Sequence, residues 1–225
     1  MTPEKLLSYQ LPLFDGLQAS DFESINIDAT EQRLVASQIL FHQNDLSHDL
    51  FFLLSGDLVS LVLTADGREI VFSEIAHRAY LGEMAALDGG PRSLSVMAKT
   101  DATVLMLQRA SFVALFDTLP TVRCKVTRRL VDRIRILTER NIEISTLNVE
   151  QRVGAFILRL AAQQEATLGT LIDPAPTHAD IAGAIGANRE MVSRSISSLA
   201  RKGIISSARR RIEIVDKSAL IDLIA

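Results

Sequence analysis

Cysteine is almost absent from this chain: Cys124 is the only one among 225 residues. A disulfide within the chain is therefore impossible, and a reducing compartment, the cytoplasm, is the expected setting. Long hydrophobic runs are missing too. No stretch approaches the roughly 18 uninterrupted apolar residues of a membrane helix. The first residues, MTPEKLLSYQLPLF, carry neither a basic leader nor a long apolar core, so neither a signal peptide nor a membrane partner is expected. There is no P-loop, no metal-ligand cluster and no nucleophile–base pair. An enzyme acting on nucleotides is thus not expected, and neither is a metal centre.

What remains is ordinary globular material, 48% apolar and 23% charged, in a chain long enough for two modest domains. The net charge of −3 is unevenly spread. Residues 1–150 hold 14 Lys/Arg against 20 Asp/Glu, whereas residues 151–225 hold 10 against 7. Such asymmetry marks a polyanion-binding part joined to one that is not.

From about Arg33 to Gln108 the pattern is strand-like. Apolar runs at Leu50–Leu54, Leu58–Leu63, Glu69–Phe72 and Thr103–Leu107 alternate with turn signals at Gly56-Asp57, Ala65-Asp66-Gly67 and Asp88-Gly89-Gly90-Pro91. Short strands punctuated by glycine turns predict a sandwich or barrel, with Asp66-Gly67 as a hairpin turn. After Pro120, which suits a first helical turn, no Pro or Gly occurs until Gly154. Leu130, Ile134, Leu137, Asn141 and Ile144 recur at alternating 4- and 3-residue steps, the spacing of a dimeric coiled-coil seam. The alternative is an amphipathic helix packed on its own domain. Asn148 is positioned to cap a further helix from Val149 to about Glu165, and Gly169–Pro176 reads as a loop.

Residues 177–205, THADIAGAIGANREMVSRSISSLARKGII, have the framing of a helix-turn-helix. Thr177 and Asp180 stand at capping-box spacing, Gly186 ends the first helix and Asn188 caps the second. Met191, Val192, Ile196 and Leu199 are expected to face inward. Arg189, Glu190, Ser193 and Arg194 are expected to face outward near the N-terminus, where a recognition helix meets base edges. Arginine donors match the guanine O6 and N7 acceptors, and glutamate accepts from the cytosine amine; the plain alternative is a charged surface helix. Behind it, Arg209, Arg210 and Arg211 sit at the tip of an expected two-stranded wing, suited to backbone phosphate or simply solvated.

A second constellation runs from Leu81 to Ser93, LGEMAALDGGPRS. A helical turn between Gly82-Glu83 and Arg92-Ser93 would aim N–H groups at an anion. Arg92 would clamp a phosphate, Ser93 would add a hydroxyl, and Glu83 could accept from a ribose hydroxyl. An Arg92–Glu83 ion pair bracing the loop is the other reading.

The pattern G-E-[MLI]-x(5–8)-R-S appears as Gly82, Glu83, Met84, Arg92 and Ser93, and R-E-x-x-[SG]-R as Arg189, Glu190, Ser193 and Arg194. On these residues the chain resembles, over essentially its whole length, the CRP/FNR superfamily, the family of the cyclic-AMP receptor protein. The resemblance implies an α+β architecture. Residues 1–118 would form a jelly-roll-like cyclic-nucleotide-binding β-roll, 119–147 a dimerisation helix and hinge, and 148–225 a winged helix-turn-helix. It further implies that Glu83 holds the ribose, Arg92 and Ser93 the cyclic phosphate, and Gly82 a close backbone approach, with Met84 completing the cassette. The recognition helix would read a half-site with a central GA step, present twice in an inverted repeat of double-stranded DNA. A homodimer follows from the same resemblance, with RNA polymerase as a further partner.

The family's glycine in the turn after the first β-roll strands is replaced by Asn44, which tolerates the left-handed conformation. Of the hydroxyl pair that cyclic-AMP-responsive members place against adenine, only Thr138 remains, beside Leu137. The effector is therefore expected to be cyclic AMP first and cyclic GMP next, or the pocket is vestigial and the regulator constitutive. One cysteine cannot hold an iron–sulfur cluster, and His42, His48 and His77 carry no haem-ligation motif, so neither group is expected.

Overall fold

The computed structural model describes residues 1–63, 69–168 and 170–224, and the expected Asp66-Gly67 turn lies outside them. It divides into two compact units, Met1–Asp132 and Arg133–Ala225. The border falls within one long helix rather than at a loop.

The first unit opens with α1 (Pro3–Ser8) and two 3₁₀ turns at Pro12–Phe14 and Ala19–Phe22. Strands β1 (Ala29–Leu34), β2 (Ile39–Phe41), β3 (Leu50–Ser55), β4 (Leu58–Leu63), β5 (Glu69–Ile75) and β6 (Tyr80–Leu81) follow. After them come α2 (Glu83–Asp88), β7 (Ser95–Ala98), β8 (Ala102–Leu107), α3 (Arg109–Thr118) and the start of α4 (Pro120–Thr146). Two four-stranded sheets result, ordered β1-β8-β3-β6 and β2-β7-β4-β5. Strand β3 shows why its sequence, LFFLL, does not alternate in polarity: it is apolar on both faces. Phe51 and Leu53 enter a core with Leu34, Phe41, Val96 and Val104. Leu50 and Phe52 enter another with Leu6, Phe14, Phe22, Leu105, Phe112 and Leu115. Val122 and Val126 of α4 are buried in this second core, and Leu130 packs against it half-buried. The N-terminal end of α4 thus packs on its own unit. Farther along, Ile134, Leu137, Asn141 and Ile144 are exposed, Ile134 by 62%.

In the second unit, α5 (Val149–Leu168) is capped reciprocally. The Asn148 N–H donates to Gln151 Oε1 at 2.9 Å, and the Gln151 N–H donates to Asn148 Oδ1 at 3.0 Å, as in a capping box. Glu143 near the end of α4 ion-pairs with Arg159 of α5. The unit continues with β9 (Leu171–Ile172), α6 (His178–Ile185), α7 (Arg189–Arg201), β10 (Ile205–Ala208), β11 (Arg211–Ile214) and α8 (Lys217–Asp222). Val153, Ile157, Ile181, Ile196, Leu199, Ile212 and Leu220 belong to one core.

Two expectations are corrected here. The segment Gly169–Pro176, read as a loop, contains β9, which pairs with β11 through Leu171↔Glu213 and Ile172↔Ile212 and makes the wing sheet three-stranded. Two residues are too few to show a period, and their partner is some forty positions away. Met191, expected inward, is 36% exposed. Ser195 takes the buried place with Val192, Ile196 and Leu199.

Candidate functional site

In the first unit the cassette is built around one buried cation. The Arg92 side chain is 2% exposed. Its Nε donates to Ser47 Oγ at 3.0 Å, Nη1 to the Gly82 carbonyl at 3.1 Å and Nη2 to the Asp49 carbonyl at 2.8 Å. The guanidinium carbon lies 4.3 Å from the Phe41 ring centroid and 5.6 Å from that of Phe51, within cation–π range. Burial pulls this guanidinium below the usual arginine range, and the carboxylates of Asp49, Asp45 and Glu83 oppose the shift. None of them comes within ion-pair distance among the described residues. The Arg92–Glu83 ion pair weighed from the sequence does not form.

Local backbone geometry explains the placement. Asn44 adopts φ 69°, as its side chain allows. The Asn44 N–H donates to the Arg92 carbonyl at 2.8 Å, and the Arg92 N–H to the Asp45 carbonyl at 2.9 Å. Gly82 caps α2 at φ 86°, and a Cβ there would stand 2.4 Å from Arg92 Nη1. Its close approach is thus to the guanidinium. The first bond of α2 is Ala86 N–H to the Gly82 carbonyl at 3.1 Å, so the N–H groups of Glu83, Met84 and Ala85 precede any intrahelical partner. Glu83 is half-buried beside them, while Met84 and Ser93 are exposed. Thr138 belongs to the second unit, exposed on α4, with its hydroxyl donating to the Ile134 carbonyl at 2.9 Å.

In the second unit, the Thr177 hydroxyl accepts from the Asp180 N–H at 3.2 Å and the Asp180 carboxylate accepts from the Thr177 N–H at 2.8 Å. The capping box is complete, and Gly186 ends α6. Asn188 Oδ1 accepts from the Met191 N–H at 2.8 Å and starts α7, whose Arg189, Glu190 and Arg194 are exposed and Ser193 half-buried. A cleft of about 390 Å³ beside this helix is lined by Glu150, Ser193, Arg194, Ser197 and Arg201. In the wing, Ala208 pairs with Arg211, leaving Arg209 and Arg210 as a two-residue tip. All three arginines are exposed, and Arg210 takes φ 55°. Between wing and α6, Thr177, His178, Arg209, Arg210 and Arg211 line a further cleft of about 350 Å³.

Residues 31–118 match the family model of the cyclic nucleotide-binding domain, and residues 151–223 that of the Crp-like helix-turn-helix domain. A cyclic AMP receptor protein of Thermus thermophilus is 31% identical over 218 residues, covering 95% of this chain and 96% of that protein. The chain belongs to the CRP/FNR superfamily. The crystal structure of the Thermus thermophilus catabolite activator protein is 27% identical, with 95% of this chain and 98% of that one covered and a TM-score of 0.51. The c-di-GMP-responsive regulator CLP of Xanthomonas campestris shares the fold at 19% identity and a TM-score of 0.61, covering 87% of this chain and 96% of its own. As a CRP/FNR protein the chain is a DNA-binding transcription regulator of the expected α+β architecture.

Several residues that build this CRP/FNR cassette escaped the sequence reading. Ser47 and Asp49 hold Arg92, and Asp49 Oδ1 also accepts from the Arg109 N–H at 3.0 Å. Arg109 Nε in turn donates to the Ala86 carbonyl at 2.9 Å, bracing the last turn of α2. Two of these contacts run through backbone carbonyls, which have no side-chain signature.

Proposed function

We propose that this CRP/FNR protein is a cytoplasmic homodimer whose binding to an inverted-repeat operator is controlled by a cyclic nucleotide, cyclic AMP first and cyclic GMP next. The buried Arg92 guanidinium carries this reading. A buried charge is normally paired, yet this one has no ion-pair partner among the described residues and retains N–H donors beyond its three protein bonds. An anion supplied from outside would complete it. Arg92 and Ser93 would hold the cyclic phosphate, Gly82 and Met84 the adjoining backbone of α2, Glu83 the ribose, and Thr138 the base. The relative from Thermus thermophilus bears the name of a cyclic AMP receptor. Signal control requires only that nucleotide bind the DNA-competent state better than the other.

On the DNA side, Arg189, Glu190, Ser193 and Arg194 would meet base edges, while Thr177 and Arg209–Arg211 would meet phosphates. Arg210 takes the left-handed backbone of the two-residue hairpin tip, which sets its exposed side chain at the end of the wing. Residues 1–118 would sense, 119–147 dimerise through the exposed apolar α4 positions, and 148–225 bind DNA, with RNA polymerase as the downstream partner. The role needs no catalysis, metal, iron–sulfur cluster or haem.

One observation favours a second reading, a constitutive regulator with a vestigial pocket: Arg92 is already held by three protein acceptors, as a structural brace would be. Isothermal calorimetry with cyclic AMP and cyclic GMP decides between them. The leading reading expects micromolar binding of one nucleotide, abolished by Arg92→Ala. Absence of heat with both, alongside intact DNA binding, would establish the second.

A further inference from the structure

Tyr80 stands at a junction inside the first unit. It lies on β6, two residues before Gly82, whose carbonyl accepts from Arg92 Nη1. Its ring is buried, 7% exposed, and meets Phe52 edge-on, with centroids 6.2 Å apart. From α4, the Arg129 guanidinium sits 4.1 Å from the Tyr80 ring centroid. Burial pushes the Tyr80 phenol up, Arg129 pulls it down and Glu83 pushes it up further. The cassette carboxylate and the α4 cation therefore act on the same side chain. Arg129 is exposed and forms no ion pair among the described residues. The Tyr80 phenol oxygen attracts Arg129 as well, so the ring face and the hydroxyl together hold the guanidinium over the ring.

We propose that Arg129 is a positioning residue that couples the nucleotide cassette to the long helix α4 through the Tyr80 ring. The inference rests on reading Arg92 and Glu83 as the nucleotide site. An anion bound at Arg92 changes the charge balance around Gly82 and Glu83, two and three residues from Tyr80 on the same chain. Any displacement of β6 then carries the ring, and Arg129 carries the change into α4, whose later residues form the expected dimer seam. Val122 and Val126, buried in the core, hold the start of the helix in place while this happens. Nucleotide affinity itself should be set by the cassette and be nearly independent of Arg129.

The test separates affinity from coupling. Full-length wild type, Arg129→Ala, Arg129→Lys and Tyr80→Phe are compared by calorimetry with cyclic AMP and with cyclic GMP. Anisotropy of an operator duplex selected with the wild-type protein is then measured with and without nucleotide. Circular dichroism checks that each variant is folded. Arg129→Ala should bind nucleotide within about twofold of wild type while losing about three- to tenfold of the nucleotide-dependent gain in operator affinity, the range one cation–π contact supplies. Arg129→Lys, which keeps the cation, and Tyr80→Phe, which keeps the ring, should retain most of the gain. Wild-type stimulation in Arg129→Ala overturns the inference, as does a parallel loss of nucleotide affinity and stimulation. A wild-type protein that binds neither nucleotide, or binds without stimulation, would overturn the underlying reading as well.

Discussion

Replacing Gly82 by alanine should disable the cassette more severely than the same change at Gly89, although the two residues cap opposite ends of α2. Both have left-handed backbones, φ 86° and φ 70°, so both pay about 1–2 kcal/mol for a Cβ in that conformation. The surroundings differ. At Gly89 the nearest atom to a new Cβ is Arg109 Nη2 at 3.7 Å, an ordinary contact. At Gly82 the Cβ would meet Arg92 Nη1 at 2.4 Å and the Asp49 carbonyl oxygen at 3.1 Å. Something must shift, and the guanidinium is the softer party. Its displacement breaks the Nη1–Gly82 bond, worth about 1.5–3 kcal/mol for a charged donor. Gly82→Ala should therefore destabilise the first unit by about 2.5–5 kcal/mol and Gly89→Ala by about 1–2 kcal/mol. Guanidinium chloride unfolding can be followed by far-UV circular dichroism, since the chain has no tryptophan. Differences should be taken only where the m-values match. Nucleotide binding should be lost in Gly82→Ala and largely kept in Gly89→Ala. Equal destabilisation of the two variants would refute the reasoning, because it would mean that the contact with Arg92 contributes nothing.

If Arg209–Arg211 touch phosphate, replacing all three by alanine should flatten the salt dependence of operator binding. Each phosphate contact contributes about 0.9 to the log–log slope, so a homodimer should lose up to about 5; an unchanged slope would remove the wing from the interface. Leu137→Asp places a charge at an exposed apolar seam position and should yield monomers in sedimentation velocity, whereas a persistent dimer would mean pairing through another surface. The Tyr9 phenol, raised to about 12 by burial and by donating to the Glu31 carboxylate, binds its proton more tightly in the folded state than in the unfolded state, where about 10 applies. Its stabilisation should be complete below pH 10 and fade between pH 10 and about 12. Tyr9→Phe should accordingly show a shallower decline in melting temperature across that window.

Legibility in the sequence followed the range of the interactions. The helix-turn-helix could be read because each device in it is local: Thr177 with Asp180, Gly186 at a helix end, and Asn188 three residues before its donor. Met191 was misplaced because Met191 and Ser195 both fall on a helical face whose burial depends on what packs against it. Strand β9 was missed because the strand it pairs with, β11, lies far along the chain. The cassette residues were legible as a spacing. The reason Gly82 must be glycine was not, since it depends on a guanidinium ten positions later folding back onto its carbonyl.

The sequence alone determined the order of modules, the glycine and asparagine positions at turns and caps, and the residues of both motifs, because propensity and capping act within a few positions. Tertiary structure alone decided that Arg92 is buried without an ion pair among the described residues, that Ser47, Asp49 and Gly82 hold it, and that Arg129 of α4 rests on Tyr80. These depend on which loops and faces the two sheets bring together, and burial converts a common surface residue into a charge that must find a partner.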